Sequence, residues 1–440
     1  GTDGIRGRFG VPPLDEETIR RLGGALARYL TQGSDPAWAV LGGDTRFSTP
    51  QIAAWLHHEL TAGGVRVTYL GTVPTPAVAD VTRRLGAGCG IAVSASHNPA
   101  PDNGIKLLDR HGFKWSTGSE AALEGEMASQ TPQVGEASPP DVDSQAAATW
   151  FDDLGASLEG STLGGLRIVA DAGHGAASPY VERLFRNVGA EIEVHNATPD
   201  GRNINHGCGS THPEVVAGLV TETAADLGLT FDGDADRCLL ADATGDRDGD
   251  AILFLWATDL LRRGELRGDA VVATSMSNLG LEVALRRHDI GLARCDVGDR
   301  HVVETLRSRG LVLGGEQSGH IVHLGLSTTG DGLLTALHVA RIVAEAGRSL
   351  PELLEGFHRF PQLLLNVSVD HKPDLDTLPR VVESRRDIER TLGDRGRLVL
   401  RYSGTEPKVR IMIEGENEAE IHRLAHELAE VLTSAIQESS

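Results

Sequence analysis

A hydroxyl, an imidazole and an amine lie close together in Gly90-Ile-Ala-Val-Ser-Ala-Ser-His-Asn-Pro99, followed by Asp102-Asn-Gly-Ile-Lys106. The apolar run Ile91 to Val93 predicts a strand that delivers Ser96 and His97 into a loop, where Asn98-Pro99 turns the chain. Ser96 offers a nucleophile or phosphate carrier, His97 a cationic or hydrogen-bonding neighbour, and Lys106 a general acid or base. Alone, a Ser-His dipeptide on a loop usually reads as polar surface. Three further motifs change that reading.

Asp232-Gly-Asp-Ala-Asp-Arg237 directly follows the apolar run Leu229 to Phe231. Alternate residues of an extended loop put three carboxylates on one side, which suits a hard divalent cation. An EF-hand is excluded, because Arg237 stands where Gly is needed and Ala243 where Glu is needed. Without a cation the three acids would repel one another. Mg²⁺ is favoured if a phosphate oxygen completes the set, and Arg237 can neutralise the same phosphate.

Gly314-Gly-Glu-Gln-Ser-Gly-His320 follows a short apolar strand, Leu311 to Leu313. Glu316, Ser318 and His320 alternate and can face the neighbouring hydroxyls of a polyol or sugar. Arg401-Tyr-Ser-Gly-Thr-Glu-Pro407, with Arg410 beyond it, combines two guanidinium groups with the hydroxyls of Ser403 and Thr405. That set makes a cradle for a phosphate dianion. Gly1-Thr-Asp-Gly-Ile-Arg-Gly7 and Gly42-Gly-Asp-Thr-Arg46 each carry an Arg on a Gly-rich loop. Either reads as ordinary surface, and Arg6 also as a flank for a transferring phosphate.

One motif misleads. Leu166 to Ser178 is a strand followed by G-x-G-x-x-S, close to a dinucleotide fingerprint. Ser178 replaces the third Gly, however, and Asp171 would meet the pyrophosphate with like charge. A nucleotide-dependent oxidoreductase is therefore disfavoured. The chain also lacks a G-x-x-x-x-G-K-[ST] loop, which disfavours a P-loop NTPase.

These loops need a scaffold, and 440 residues suffice for about three or four domains. With 53 Gly and 4% aromatics, the composition suits many tight strand-to-helix turns of an α/β architecture. A net charge of −21 argues against nucleic acid and anionic membranes as partners. It also means that an anionic ligand needs local cations or a metal. Cys89, Cys208, Cys238 and Cys295 are widely spaced with no CxxC pair, as in a reducing, cytoplasmic setting. No apolar run approaches the ~18 residues that span a bilayer, and no signal peptide is visible. The chain opens without an initiator Met, and a few leading residues are expected to precede Gly1.

Periodicity predicts helices near Ile19 to Leu30, Gln51 to Ala62, Tyr180 to Val188, Ala251 to Leu261, Val302 to Ser308 and Gly332 to Ala346. Strands are expected at Ala37 to Leu41, Arg66 to Leu70, Leu166 to Ala170, Glu191 to His195, Gly228 to Phe231 and Ala270 to Thr274. Ser129 to Ser144 reads as a linker. Beyond Phe360-Pro361 the texture changes to α+β. There strands are expected at Leu363 to Val369, Leu398 to Arg401 and Val409 to Ile413, with helices at Val381 to Thr391 and Glu418 to Thr433. No sequence repeat is visible, though three similar α/β units would make structural repeats.

In this order, Ser94-Ala-Ser-His-Asn-Pro99, Asp232-Gly-Asp-Ala-Asp-Arg237, Gly315-Glu-Gln-Ser-Gly-His320 and Arg401-Tyr-Ser-Gly-Thr-Glu-Pro407 resemble the α-D-phosphohexomutases over essentially the whole chain. The resemblance implies three related mixed-sheet α/β domains and a smaller α+β C-terminal domain around a central cleft. Their bounds would be 1–147, 148–248, 249–356 and 357–440. It implies Ser96 as the phosphorylated carrier and Mg²⁺ held by Ser96, Asp232, Asp234 and Asp236. Lys106 and His320 would be acid/base groups, with Arg6, His97 and Arg237 around the transferring phosphate. Glu316, Ser318 and His320 would hold the sugar, and Arg401, Ser403, Thr405 and Arg410 its phosphate. A sugar 1,6-bisphosphate would be both primer and intermediate.

Gln317, Gly298-Asp-Arg300 and Thr328-Thr-Gly-Asp-Gly332 are most similar to the amino-sugar branch, which implies a hexosamine phosphate and a route toward cell-wall amino sugars. The phosphomannomutase and phosphoglucomutase branches, with the same chemistry, are the nearest alternative. A non-catalytic phosphosugar-binding protein is the alternative of another class, and a homodimer is the assembly to test. A Lys106 that acts as base must lose its proton, so a depressed pKa is expected.

Overall fold

Three sheets are built to one plan. The computed structural model describes residues 4–132, 135–403 and 407–439. The first sheet contains β1 (Ile5–Arg8), β2 (Trp38–Gly43), β3 (Arg66–Thr72), β4 (Cys89–Val93) and β5 (Asp102–Asp109) in the order β1-β5-β4-β2-β3. The second contains β6 (Arg167–Asp171), β7 (Glu191–His195), β8 (Leu227–Phe231), β9 (Cys238–Asp242) and β10 (Gly245–Arg247) in the order β10-β9-β8-β6-β7. In the third, β11 (Ala270–Thr274), β12 (Gly291–Cys295), β13 (Leu313–Gly315) and β14 (Ile321–His323) run β12-β11-β13-β14.

Each sheet has a parallel trio whose third strand, β4, β8 or β13, pairs antiparallel with the next strand in the chain. These are the mixed α/β sheets and structural repeats that the sequence suggested. β4 and β8 are buried along their whole length, as strands covered on both faces must be, so they read as largely apolar runs, broken in β8 only by buried Thr230.

The helices around the first sheet are α1 (Glu16–Gln32), α2 (Thr49–Ala62), α3 (Thr75–Leu85) and α4 (Thr117–Met127). Next come α5 (Ser144–Ala156), α6 (Val181–Asn187), α7 (Pro213–Thr223) and α8 (Gly249–Arg263), then α9 (Leu279–Arg286), α10 (Asp299–Arg309), α11 (Gly332–Ala346) and α12 (Leu350–Leu353). Strands at Glu191–His195 and Ala270–Thr274 and a helix at Gly332–Ala346 lie where periodicity placed them. α3 is not among the helices that periodicity predicts. Pro74 and Pro76 occupy its cap and first turn, where no N–H is missed, and Gly86 ends the helix at φ 64°. The described residues of 129–143 form no helix, and Val142 bridges to Tyr69. Among the described residues no helix is long and apolar enough to cross a membrane.

The chain forms two compact units. The first runs to Met276 and includes Asp289–Glu355; the second joins Ser277–His288 to the chain from Gly356. In the second unit, β15 (Gln362–Ser368), β16 (Gly396–Tyr402) and β17 (Lys408–Gly415) form an antiparallel sheet in the order β15-β17-β16. Helices α13 (Pro379–Leu392) and α14 (Glu418–Glu438) complete it, with Val409, Ile411 and Ile413 packed in one core with Leu424, Leu428 and Leu432. α9 belongs here through side-chain bonds: Asn278 Oδ1 accepts from Phe360 N–H at 2.9 Å, and fully buried Glu414 accepts from Leu279 N–H at 3.1 Å.

Candidate active site

The shared sheet plan puts three of the motifs at one topological position. Ser96, Asp232 to Asp236, and Glu316 to His320 all lie in the loop between the third parallel strand and its antiparallel neighbour. Ligands of open α/β sheets gather beyond the carboxyl ends of strands, and here three such loops meet within the first unit.

Ser96 is 1% exposed and has φ 52°, a left-handed conformation costly for a non-Gly residue by about 1–3 kcal/mol. Fully buried Arg46 holds it there. The guanidinium donates to the carbonyls of Ser96 (2.9 Å), Asn98 (2.8 Å), Pro99 (2.6 Å) and Asp102 (3.0 Å), and its Nε to Asp44 (2.9 Å). Asn205 Nδ2 donates to the same Ser96 carbonyl at 2.9 Å. Ser94 completes the brace, accepting from Ser96 N–H and donating to Asp44. Arg46 is thus no surface residue.

The brace aims Ser96 Oγ at Asp232 Oδ2, to which it donates at 2.5 Å; His97 Nδ1 lies 3.3 Å away. Gly233 must be glycine, because a Cβ there would stand 2.5 Å from the Ser96 carbonyl. Asp232, Asp234 and Asp236 are all buried, each with a carboxylate oxygen within 4.8 Å of the others. Asp234 Oδ1 is buried without a hydrogen-bond partner. Burial, then Asp236 and Asp234, push Asp232 well above the usual carboxylate range. Burial would raise Asp236 too, but Lys106 and His320 outweigh it and hold it well below. Converging hard oxygens, with the buried Oδ1 atoms of both Asp234 and Asp236 making no hydrogen bond, fit a divalent cation.

Lys106 projects from β5 into this cluster, with Nζ 2.5 Å from Asp234 Oδ2 and 3.0 Å from Asp236 Oδ2. Burial alone would depress its pKa, but the two carboxylates outweigh burial and raise it. The depressed pKa expected from the sequence is therefore corrected: the neighbours that count are anions. Burial, with Arg237 and Arg6, lowers the pKa of His97. Arg237 N–H donates to Asp232 at 3.2 Å, and its Nε lies 3.9 Å from that carboxylate and 3.8 Å from Asp236.

Beside the cluster is a cavity of about 360 Å³ lined by Arg6, Lys114, Asp236, Arg237, Glu316, Ser318 and His320 among others. That is room for a small phosphorylated ligand. The sugar-loop motif closes on itself through Glu316 N–H to the His320 carbonyl, 3.0 Å, and is fastened to the metal loop by Cys238 N–H to the Gly319 carbonyl, 3.1 Å. Glu316 Oε1 accepts from Gly298 N–H at 3.0 Å. Gln317 donates to Asp248, the cap of α8, at 3.1 Å. This branch mark is an anchor for the loop.

His320 is 2% exposed, and its Nε2 accepts from Gly330 N–H at 3.1 Å while Nδ1 lies 3.6 Å from Asp236. Burial disfavours its charged form, but Asp236 and Asp299 outweigh burial and raise its pKa. Nδ1 faces Asp236, and Nε2 also lies 3.5 Å from Asp299 Oδ2. His320 therefore orients Asp236 within the cavity wall.

The phosphate-loop candidates lie in the second unit. Arg401 and Arg410 are paired residues of adjacent antiparallel strands, so their side chains leave the sheet on one face. Ser403 is 2% exposed, its N–H donates to the Lys408 carbonyl, and its own carbonyl accepts from Lys372 Nζ at 2.8 Å. Thr405 lies outside the described residues.

The dinucleotide-like loop has a structural use. Asp171 accepts from Gly173 N–H (2.9 Å) and Gly209 N–H (2.8 Å), and a Cβ on Gly175 would meet the Gly233 carbonyl at 2.6 Å. These glycines let the loop pack against the metal loop.

Family models describing phosphoglucomutase/phosphomannomutase α/β/α domains I, II and III and the C-terminal domain match residues 1–133, 148–245, 248–360 and 364–431. A phosphoglucomutase/phosphomannomutase family protein of Burkholderia thailandensis is similar in structure, with TM-score 0.80 and 26% identity over 98% of this chain and 96% of that one. The N-acetylphosphoglucosamine mutase of Aspergillus fumigatus, solved with GlcNAc-6P and magnesium, shares the fold at TM-score 0.67 and 19% identity, covering 99% and 95%. Fold and loops together define a phosphohexomutase, an isomerase.

In sequence the chain is similar to the phosphoglucosamine mutases of Halorhodospira halophila, 44% identical over 99% of this chain and 96% of the relative, and of Koribacter versatilis, 42% over 99% and 96%. It belongs to the phosphoglucosamine mutase family.

Proposed function

We propose that the chain interconverts glucosamine 6-phosphate and glucosamine 1-phosphate through a phosphorylated Ser96 and a 1,6-bisphosphate, supplying amino-sugar phosphate for cell-wall synthesis. The observation that carries this reading is the buried Ser96 hydroxyl, set against Asp232 with Lys106 between Asp234 and Asp236. The relatives named phosphoglucosamine mutase support the substrate.

In the forward step a sugar hydroxyl oxygen bonds to the phosphorus carried by Ser96, and the phosphorus–Oγ bond breaks. The hydroxyl proton leaves to a base, and Oγ regains a proton. Lys106 is the group placed to exchange that proton, while Arg6, His97 and Arg237 face the phosphoryl oxygens. Asp232, Asp234 and Asp236, with a Ser96 phosphate oxygen, would hold Mg²⁺, which when bound offsets charge on the transferring group. The magnesium in the Aspergillus fumigatus neighbour agrees with that choice.

The phosphate already on the sugar is taken by Arg401, Ser403, Thr405 and Arg410. Glu316 and Ser318 hold hydroxyls that fall in similar places when the bisphosphate turns end for end. Its other phosphate then returns to Ser96 by the reverse bond exchange.

The test is isomerisation of glucosamine, glucose and mannose phosphates side by side, with Mg²⁺ and a bisphosphate primer. A strong preference for glucosamine phosphate is expected. Preference for glucose or mannose phosphate would overturn the substrate, and turnover of none would overturn the catalytic reading.

A further inference from the structure

We propose that Asp299, held by Lys114, is the residue through which this site recognises the charged 2-amino group of its sugar phosphate; the inference rests on the glucosamine reading above. A glucosamine phosphate differs from a glucose phosphate at one position, where an ammonium replaces a neutral hydroxyl. The cavity already presents the cations Arg6, Lys114 and Arg237, so an ammonium needs a carboxylate as its partner. Three carboxylates line the cavity: Asp236, Glu316 and Asp299. Asp236 is committed to Lys106 at 3.0 Å and to the acidic trio. Glu316 is held by Gly298 N–H and faces sugar hydroxyls in the mechanism above.

Asp299 remains. It opens α10, and its Oδ2 lies 2.5 Å from Lys114 Nζ, in a pair only 11% and 8% exposed. Its other oxygen accepts from Arg300 N–H at 2.7 Å. A carboxylate has about four acceptor sites, so these bonds leave capacity for an incoming donor. Burial would raise its pKa, but Lys114 and His320 outweigh burial and hold it down to about 2, so the group is an anion at working pH.

The position is also braced. Arg300 donates to Thr117 at 2.9 Å and to Glu120 at 2.7 Å, and Thr328 donates to the Gly112 carbonyl at 2.8 Å. The Arg300 bonds fix Thr117 and Glu120 against the start of α10, and the Thr328 bond ties Gly112 to the loop before α11, so the segment that carries Lys114 is held at both ends beside Asp299. A fixed anion whose charge one lysine already shares can tell an ammonium from a hydroxyl, since the ammonium adds a charge–charge attraction that a neutral hydroxyl lacks.

The experiment compares kcat/KM for glucosamine 1-phosphate and glucose 1-phosphate, with Mg²⁺ and a bisphosphate primer, in the native chain, Asp299→Asn and Lys114→Met. Both variants should lose activity. Asp299→Asn should lose about tenfold more on the amino sugar than on glucose phosphate, the scale of one charged hydrogen bond. Lys114→Met, which leaves the Asp299 charge unshared by Nζ, should shift the ratio the other way. An unchanged ratio in Asp299→Asn would overturn the proposal. So would a shift in the same direction in both variants, which marks a merely structural clasp. If the native chain turns over neither sugar, the parent reading falls and this inference with it.

Discussion

Ser96 Oγ donates to Asp232 Oδ2 at 2.5 Å across 136 positions of sequence. A phosphate on that oxygen would enter a pocket already holding three buried carboxylates, an arrangement that needs a cation. Chelation should therefore abolish turnover, and added Mg²⁺ should restore it. Asp234→Asn should lower kcat by about 100-fold or more, with the folding transition retained. Full turnover in excess chelator would contradict the metal assignment.

Arg46 commits its guanidinium to four carbonyls and Asp44, all inside the fold. Arg46→Ala should destabilise by about 3–5 kcal/mol, the usual cost of removing one partner of a buried ion pair. Arg46→Lys keeps the charge, but three ammonium donors cannot reach every acceptor. It should still lose about 100-fold in kcat, as small misplacements of a reacting group do. Native turnover in Arg46→Lys would show that the brace does not position Ser96.

Arg401 faces Arg410 across the strand pair. Like charges directly opposite repel, by a few tenths of a kcal/mol up to about 1 kcal/mol, unless an anion lies between them. Arg401→Ala should raise KM about 10- to 100-fold and lower kcat less, with a melting temperature no lower than native. Inorganic phosphate should raise the native melting temperature more than that of the variant. An unchanged KM would remove the phosphate-cradle assignment.

His338 supplies a pH prediction away from the site. It stacks on Trp256 at 4.9 Å and meets Ser157 Oγ at 3.2 Å. Burial, then Arg341 and His323, lower its pKa from 6.5 to about 3. A depressed folded-state pKa means stability that is present above 6.5 and lost as pH falls toward 3, at about 1.4 kcal/mol per pH unit. Between pH 7 and 5 the native chain should lose about 2 kcal/mol more than His338→Gln in urea unfolding. Equal losses would contradict a buried neutral imidazole.

What was legible in the sequence was local. Ser96, the three aspartates, Glu316 and Ser318 each sit in a short loop after an apolar run, so residue type and spacing announce them. Asn205, Thr75 and Lys114 do not, and Arg46 and Asp299 are visible only as a loop Arg and part of a branch mark, because their partners lie elsewhere in the chain and only the fold brings them together. Thr75 Oγ1, for instance, donates to Asp234 from the start of α3. The pKa of Lys106 ran opposite to expectation for the same reason: its charge neighbours are set by the β8 loop, far away in sequence. Gly173 and Gly175 look like part of a dinucleotide fingerprint because close packing and dinucleotide binding both call for glycine.

The central claim is that Ser96 carries the phosphoryl group. The direct measurement is to incubate the native chain with Mg²⁺ and a sugar 1,6-bisphosphate labelled in its phosphates, then locate the label by peptide mapping. The account predicts label on Ser96 that is lost when sugar monophosphate is added, and neither label nor turnover in Ser96→Ala. Label on another residue, or substantial turnover in Ser96→Ala, would contradict it.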